Sequence, residues 1–128
     1  MMNQTFDWHK QWNGPSSEIL ARYRNDNVTN VITYDSSRSV ANKVRYAMRK
    51  NLGGISGWDI CMDDFQGDCP IDTDTFMDFK TVPGVELKLP TRTQTDYPLL
   101  RTINEAISLS MEELRQEAIF SLIDYRNL

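Results

Sequence analysis

The chain has 128 residues, of which 40% are hydrophobic and 25% charged, and a net charge of −4. That length holds one small domain. Acidic and basic residues are mixed along it and no basic patch stands out, which argues against a nucleic-acid or anionic-membrane binder; no run approaches the ~18 apolar residues of a membrane span, and Met1–Asp7 is too polar to be the apolar core of a signal peptide.

Taken in order, Met1 to Pro15 carries Trp8, His9 and Trp12 among polar neighbours and stops at Asn13-Gly14-Pro15, a strong turn signal. The tryptophans read as apolar anchors that cover a neighbouring surface, with sugar stacking as the rival role. His9 is the sole histidine and has no second His or Cys at metal-ligand spacing, so its reading is structural or exposed. Ser16 or Ser17 can cap a short helix through Ile19, Leu20 and Tyr23, with Glu18 in its first turn, and Arg24-Asn25-Asp26-Asn27 breaks it. Val28–Tyr34 is β-branched and aromatic and predicts a strand. Asn3-Gln4-Thr5 and Asn27-Val28-Thr29 fit the N-glycosylation acceptor pattern, a triplet common by chance.

Ser36-Ser37-Arg38-Ser39 offers helix caps, and Val40, Ala41, Val44, Ala47 and Met48 follow at helical spacing with Arg and Lys on the other face. Gly53-Gly54 suits the left-handed turn that ends such a helix. Ile55 to Ile60 then reads as one buried strand with Trp58 near its C-terminal end, followed by the acidic loop from Cys61 to Cys69. Two cysteines are too few for a disulfide framework and do not make a four-ligand zinc site; a local Cys61–Cys69 bridge and two unpaired thiols are both open.

Pro70 to Phe79 reads as a solvated loop: Asp72 and Asp74 have a calcium-like spacing but lack the glycine and terminal glutamate of an EF-hand. Val82 to Arg92 alternates weakly through Val85, Leu87 and Leu89 and predicts a short edge strand. Thr95 or Asp96 can cap the next helix, with Pro98 as its clearest start signal and Leu99, Leu100, Ile103, Ala106 and Ile107 on one face. Ser110-Met111-Glu112-Glu113 matches a capping box for a second helix with Leu114, Ala118, Ile119, Leu122 and Ile123 on its stripe; a single bent helix is the alternative.

Several dispersed segments, in order, resemble one family. Tyr34-Asp35-Ser36, Ser39-Val40-Ala41-Asn42-Lys43-Val44, Leu52-Gly53-Gly54, Trp58 and Met62-Asp63-Asp64-Phe65-Gln66-Gly67-Asp68-Cys69 together resemble the closing segment of glycoside hydrolase family 18, the chitinases and chitinase-like lectins. Tyr97-Pro98-Leu99-Leu100-Arg101-Thr102-Ile103-Asn104-Glu105-Ala106-Ile107 looks like that family's final helix. The resemblance covers Tyr23 to Phe65 and returns at Tyr97 to Ile107.

It implies an α/β fold, a partial (β/α)8 (TIM) barrel made of the closing helix–strand–helix units with part of the family's α+β insertion. A whole barrel typically needs about 250 residues, so about half of one is the upper limit. The implied organisation is a leader with a short helix over 1–22, the C-terminal portion of the barrel over 23–109, and a helical extension over 110–128. It implies export, no cofactor and no metal, chitin or N-acetylglucosamine oligosaccharides as the ligand, and the missing N-terminal barrel portion as a partner. The cysteine after the family's Asp-Asp-Phe loop pairs with one earlier in the barrel; Cys69 sits close to that place and its partner is missing here.

Catalysis in that family depends on D-x-x-D-x-D-x-E, whose last acid protonates the glycosidic oxygen while the preceding aspartate orients the substrate's own acetamido oxygen. That spacing is absent here, and Asp59 to Asp78 contains no glutamate. The expectation is no catalytic residue in this chain and inactivity alone. What carries over is Trp58, the implied floor of the sugar subsite beside the scissile bond; a buried core tryptophan is the bland reading. Ser56 and Gly57 depart from the family's methionine and β-branched residue and thin the packing around Trp58. Asp63 and Asp64 read as loop-shaping acids. The main rivals are a non-catalytic chitinase-like lectin or growth-factor-like secreted protein, and a free-standing α/β interaction protein.

Overall fold

The computed structural model describes residues 7–69, 79–82, 85–87 and 94–126. The acidic stretch 70–78, with Asp72 and Asp74, lies outside them, as do Leu89 and the first acceptor triplet.

An antiparallel three-stranded sheet, β1 (His9–Asn13), β2 (Glu18–Asn25) and β3 (Val28–Tyr34), opens the chain. The helix expected between Ser16 and Tyr23 is β2. Ile19, Leu20 and Tyr23 satisfy a helical period, but Ile19, Ala21 and Tyr23 satisfy a period of two equally well, and strands on both sides decide between them. Trp12 and Tyr34 flank Ile19 in register, and Ile19 and Ala21 are buried. The turn signal at Asn13-Gly14-Pro15 closes the β1–β2 hairpin, with the Ser17 N–H donating to the Gly14 carbonyl at 3.2 Å and Ser17 taking φ 52°. Residues 9–13 and 18–22, expected as part of a leader and a short helix, therefore lie in a hairpin, and β2 runs across the boundary expected at 22/23.

Helix α1 (Ser37–Arg49) begins as expected, at a capping box. The Ser36 N–H donates to Ser39 Oγ at 2.6 Å and the Ser39 N–H to Ser36 Oγ at 3.3 Å, satisfying two donors that a helix start leaves open. Its end differs from expectation. Asn51, not the glycine pair, takes the left-handed position at φ 53°, with Leu52 N–H bonded to the Ala47 carbonyl and Asn51 N–H to that of Met48. Asparagine tolerates that region because its short polar side chain lessens the steric cost.

Helix α2 (Pro98–Arg126) is one continuous helix of 29 residues, so the capping-box reading at Ser110 gives way to the single-helix alternative. The reason is tertiary. Glu113, cast as a cap partner, is fully buried against α1, where Arg45 and Arg49 bind it. Ala41, Val44 and Ala106 form the buried centre, with Val40, Met48, Ile103, Ile107 and Leu109 around it. Arg45 bonds Glu113 and Arg49 bonds Glu117, so the two helices run in the same direction. Thr102 and Ser110 are more deeply buried on α2 than Leu100 of the expected apolar face, because two close-packed helices favour small side chains at their contact. A short hairpin, β4 (Phe79–Val82) with β5 (Val85–Leu87), lies beside α2 and contains the expected edge strand.

The described residues thus form a mixed α/β structure of two small sheets and two long helices. No barrel is formed among the described residues, and the strand expected from Ile55 to Ile60 is absent. A strand exists only where a neighbour takes up its backbone donors and acceptors, and no strand among the described residues lies beside this one. Gly53 to Trp58 is irregular and exposed, and Ile60–Met62 forms a single 3₁₀ turn.

Candidate functional site

Trp58 stands at the end of that irregular segment, 93% exposed, and the peptide bond to Asp59 is cis. The side chain is not a buried core tryptophan. Three of the aspartates that follow it, Asp59, Asp63 and Asp64, are committed to backbone. Asp59 Oδ1 accepts from the N–H groups of Cys61 at 2.9 Å and Met62 at 3.2 Å, capping the 3₁₀ turn.

Asp63 reaches out of the loop to α2. Its two oxygens accept from the Leu99 N–H at 3.2 and 3.1 Å, and Oδ2 accepts from the Leu100 N–H at 3.0 Å. This caps the helix start, the role expected of Thr95 or Asp96; Asp96 instead holds Arg101 through its carbonyl and carboxylate. A carboxylate here also meets the positive end of the helix dipole.

Asp64 folds the loop on itself, accepting from the Asp68 N–H at 3.0 Å and the Cys69 N–H at 2.9 Å, while its carbonyl accepts from Gly67 and Tyr97. The bond from the Cys69 amide, followed by that from Asp68, holds the Asp64 carboxyl below its usual value. Cys69 shifts the other way: burial and then the neighbouring Asp64 charge raise its thiol. Both cysteines are free and exposed. Gly67 has φ +72°, and a Cβ there would lie 2.9 Å from the Thr95 carbonyl carbon, so only glycine fits the point where the loop meets the strand-to-helix segment.

The loop-shaping role of Asp63 and Asp64 therefore has a geometry, and Asp59, Asp63 and Asp64 each fix backbone in the loop that follows Trp58. No group of three or more His, Cys, Asp or Glu side chains among the described residues is placed to hold a metal. His9 lies exposed beside Asp7 at 3.9 Å, away from this loop in the first strand.

A second concavity was not foreseen. The hairpin turn of β1–β2 and one face of α1 flank an open groove of about 520 Å³ whose lining includes Trp12, Arg38, Arg45, Tyr46, Arg49 and Lys50. The signal was present as a run from Ser36 to Gly57 with no acidic residue. In a chain of net charge −4 its five cations have, from the sequence, only the look of a helix's outer face.

With this geometry in place, the comparisons are specific. Residues 3–63 match the family model for glycosyl hydrolases family 18. Over 117 residues, 89% of this chain, the sequence is 46% identical to probable chitinase 2 of Drosophila melanogaster, covering 23% of that protein. It is 47% identical over 38 residues, 30% of the chain, to chitinase-like protein Idgf2 of the same organism, and 44% identical over 41 residues, 32% of the chain, to Idgf3, covering 9% of each. The chain thus spans less than a quarter of the length of these curated relatives. No solved structure matches it significantly. The matched residues include the strand β3, the capped helix α1 and Trp58, and the chain belongs to glycosyl hydrolases family 18.

Proposed function

We propose that this chain is the closing portion of a family 18 (β/α)8 barrel and that Trp58 forms the floor of a subsite for β-1,4-linked N-acetylglucosamine. The observation that carries this is the exposure of Trp58 on a loop in which Asp59, Asp63 and Asp64 are bound to backbone. An exposed indole on a fixed backbone offers a flat apolar surface to a pyranose ring at small cost in entropy. The apolar Leu52, Ile55 and Ile60 of the same segment are exposed too, as expected of a surface that the rest of a barrel would cover.

In this reading the catalytic acid lies outside residues 1–128, and the chain supplies binding surface and no proton donor. Export accords with Asn27, exposed at the β2–β3 turn, and Thr29, exposed at the start of β3, where a glycosyl transferase can reach them. The similarity to Idgf2 and Idgf3 favours a second reading, a non-catalytic chitinase-like protein that keeps the sugar floor.

The test is calorimetric titration of the native protein carrying residues 1–128 with N-acetylglucosamine oligomers. Trp58→Ala is expected to weaken binding roughly tenfold or more, and Trp58→Phe by less. Equal binding by Trp58→Ala would remove the site assignment. Hydrolysis of the oligomers separates the enzyme from the lectin.

A further inference from the structure

We propose that Asn27, in the turn between β2 and β3, carries an N-linked oligosaccharide. The proposal rests on the export reading above, because the reaction takes place inside the secretory pathway. Of the asparagines in the chain, only Asn3 and Asn27 are followed two positions on by serine or threonine without an intervening proline, and Asn3 lies outside the described residues. Asn27-Val28-Thr29 is therefore the acceptor triplet whose surroundings the structure describes.

A triplet that arises by chance can fall on a helix or a buried face, where a bulky hydrated chain has no room. This one sits at a hairpin tip. Asp26 and Asn27 alone join the two strands, Asn25 pairs with Val28, and Asp26 takes φ 51° to close the turn. Residues 24–29 are exposed without a break. Turn asparagines commonly bond nearby backbone through the side-chain amide. Here no hydrogen bond of the Asn27 amide or the Thr29 hydroxyl is found among the described residues, so both groups stay open. Beyond the turn, β3 runs for seven residues, about 20 Å at the rise of a strand, before the chain reaches the cap of α1. That helix meets the sheet at the β1–β2 turn, the opposite end of β2. A glycan on Asn27 therefore displaces no described side chain from its packing.

The donor is an oligosaccharide carried on a lipid diphosphate. Asn27 Nδ2 attacks the anomeric carbon of its first sugar; the N–C bond forms, the bond from that carbon to the diphosphate oxygen breaks, the lipid diphosphate leaves, and one Nδ2 proton passes to a base. An amide nitrogen is a poor nucleophile because its lone pair is delocalised into the carbonyl, as in the peptide bond. The transferase must hold the amide closely, and the hydroxyl two residues on is what it grips; Thr29 supplies it. The enzyme meets this stretch as an extended chain during synthesis, and the hairpin then closes with Asn27 outside. Sequence thus provides the acceptor, and the fold provides the room.

The experiment maps the native protein carrying residues 1–128, recovered from the cells that make it. Its N-linked glycans are released in heavy-oxygen water by an amidase that converts the linked asparagine to aspartate, and the tryptic peptide from Asn25 to Arg38 is fragmented by mass spectrometry. The heavy aspartate is expected at position 27 in most molecules, and at neither Asn25 nor Asn30 of the same peptide. Asn27→Gln and Thr29→Ala are each expected to abolish that glycopeptide, and Thr29→Ser to restore it. Binding of N-acetylglucosamine oligomers is expected to be unchanged in Asn27→Gln, so failure of this site and failure of the Trp58 reading are told apart. Secreted protein with Asn27 unlabelled would overturn the proposal and leave the export reading standing, whereas protein confined to the cytosol would overturn both. A glycan that persists on Asn27 in Thr29→Ala would also overturn it, since the acceptor would then not be this triplet.

Discussion

Asp63 and Leu99, 36 residues apart in sequence, are joined by hydrogen bonds from one backbone N–H to both carboxylate oxygens, at 3.2 and 3.1 Å. The side chain that follows Trp58 by five positions thereby caps the final helix, so loop placement and helix start are coupled. Asp63→Ala is expected to destabilise the protein by about 1–2 kcal/mol, the cost of a lost N-cap, with Asp63→Asn milder. Urea unfolding of the native protein measures it, and faster amide exchange at Leu99 and Leu100 locates the loss.

Glu113 has no exposed side-chain surface, while its partners Arg45 and Arg49 are about one-third exposed. Removing the carboxylate leaves two cations that can still turn toward water, so the cost is lower than for a fully buried pair. Glu113→Ala is expected to lose roughly 2 kcal/mol. A double-mutant cycle with Arg45→Met should show a coupling energy well above that of an exposed pair such as Arg115 with Glu112.

Gly67→Ala meets two obstacles, the positive φ of +72° and the Thr95 backbone. The expected loss is about 1–3 kcal/mol. Shortening the Thr95 side chain should not restore it, because the carbonyl carbon of Thr95 also stands in the way. Thermal unfolding of the single and double variants provides the check.

The acid side of the stability profile follows from two carboxylates. The Asp64 carboxyl is held below 3.8 by backbone N–H bonds, and that of Glu112 falls from 4.5 to about 2, chiefly through Arg115 and then Gln116. Both are depressed in the folded state, so their contributions are fully present above the unfolded values and disappear as pH falls through the folded ones. Loss of the loop clamp is therefore expected only below about pH 4, seen as faster exchange of the Cys69 amide, and Asp64→Ala should show that fast exchange already at neutral pH.

The same Asp64 charge adds to burial in raising the Cys69 thiol. Asp64→Asn is expected to accelerate alkylation of Cys69 at pH 7.5, because the thiolate is the reacting species. Mass spectrometry after timed iodoacetamide treatment, with Cys61 as an internal reference, reads the change.

Local chemistry was enough to determine β3, the serine-capped α1, the turn at Asn13-Gly14 and the proline start of α2, because each depends on residues within a few positions of one another. The family was legible for a related reason: its residues recur in order along the chain. Tertiary structure decided the rest. Ile19, Ala21 and Tyr23 became a strand through neighbours on both sides, and Glu113 became a buried ion-pair partner through a helix more than sixty positions away. Ile55 to Ile60 has the composition of a strand but lacks a described neighbour to pair with, and a strand's hydrogen bonds are never its own. The cap from Asp63 and the basic groove at Trp12 both join segments far apart in sequence, a distance that no local pattern encodes.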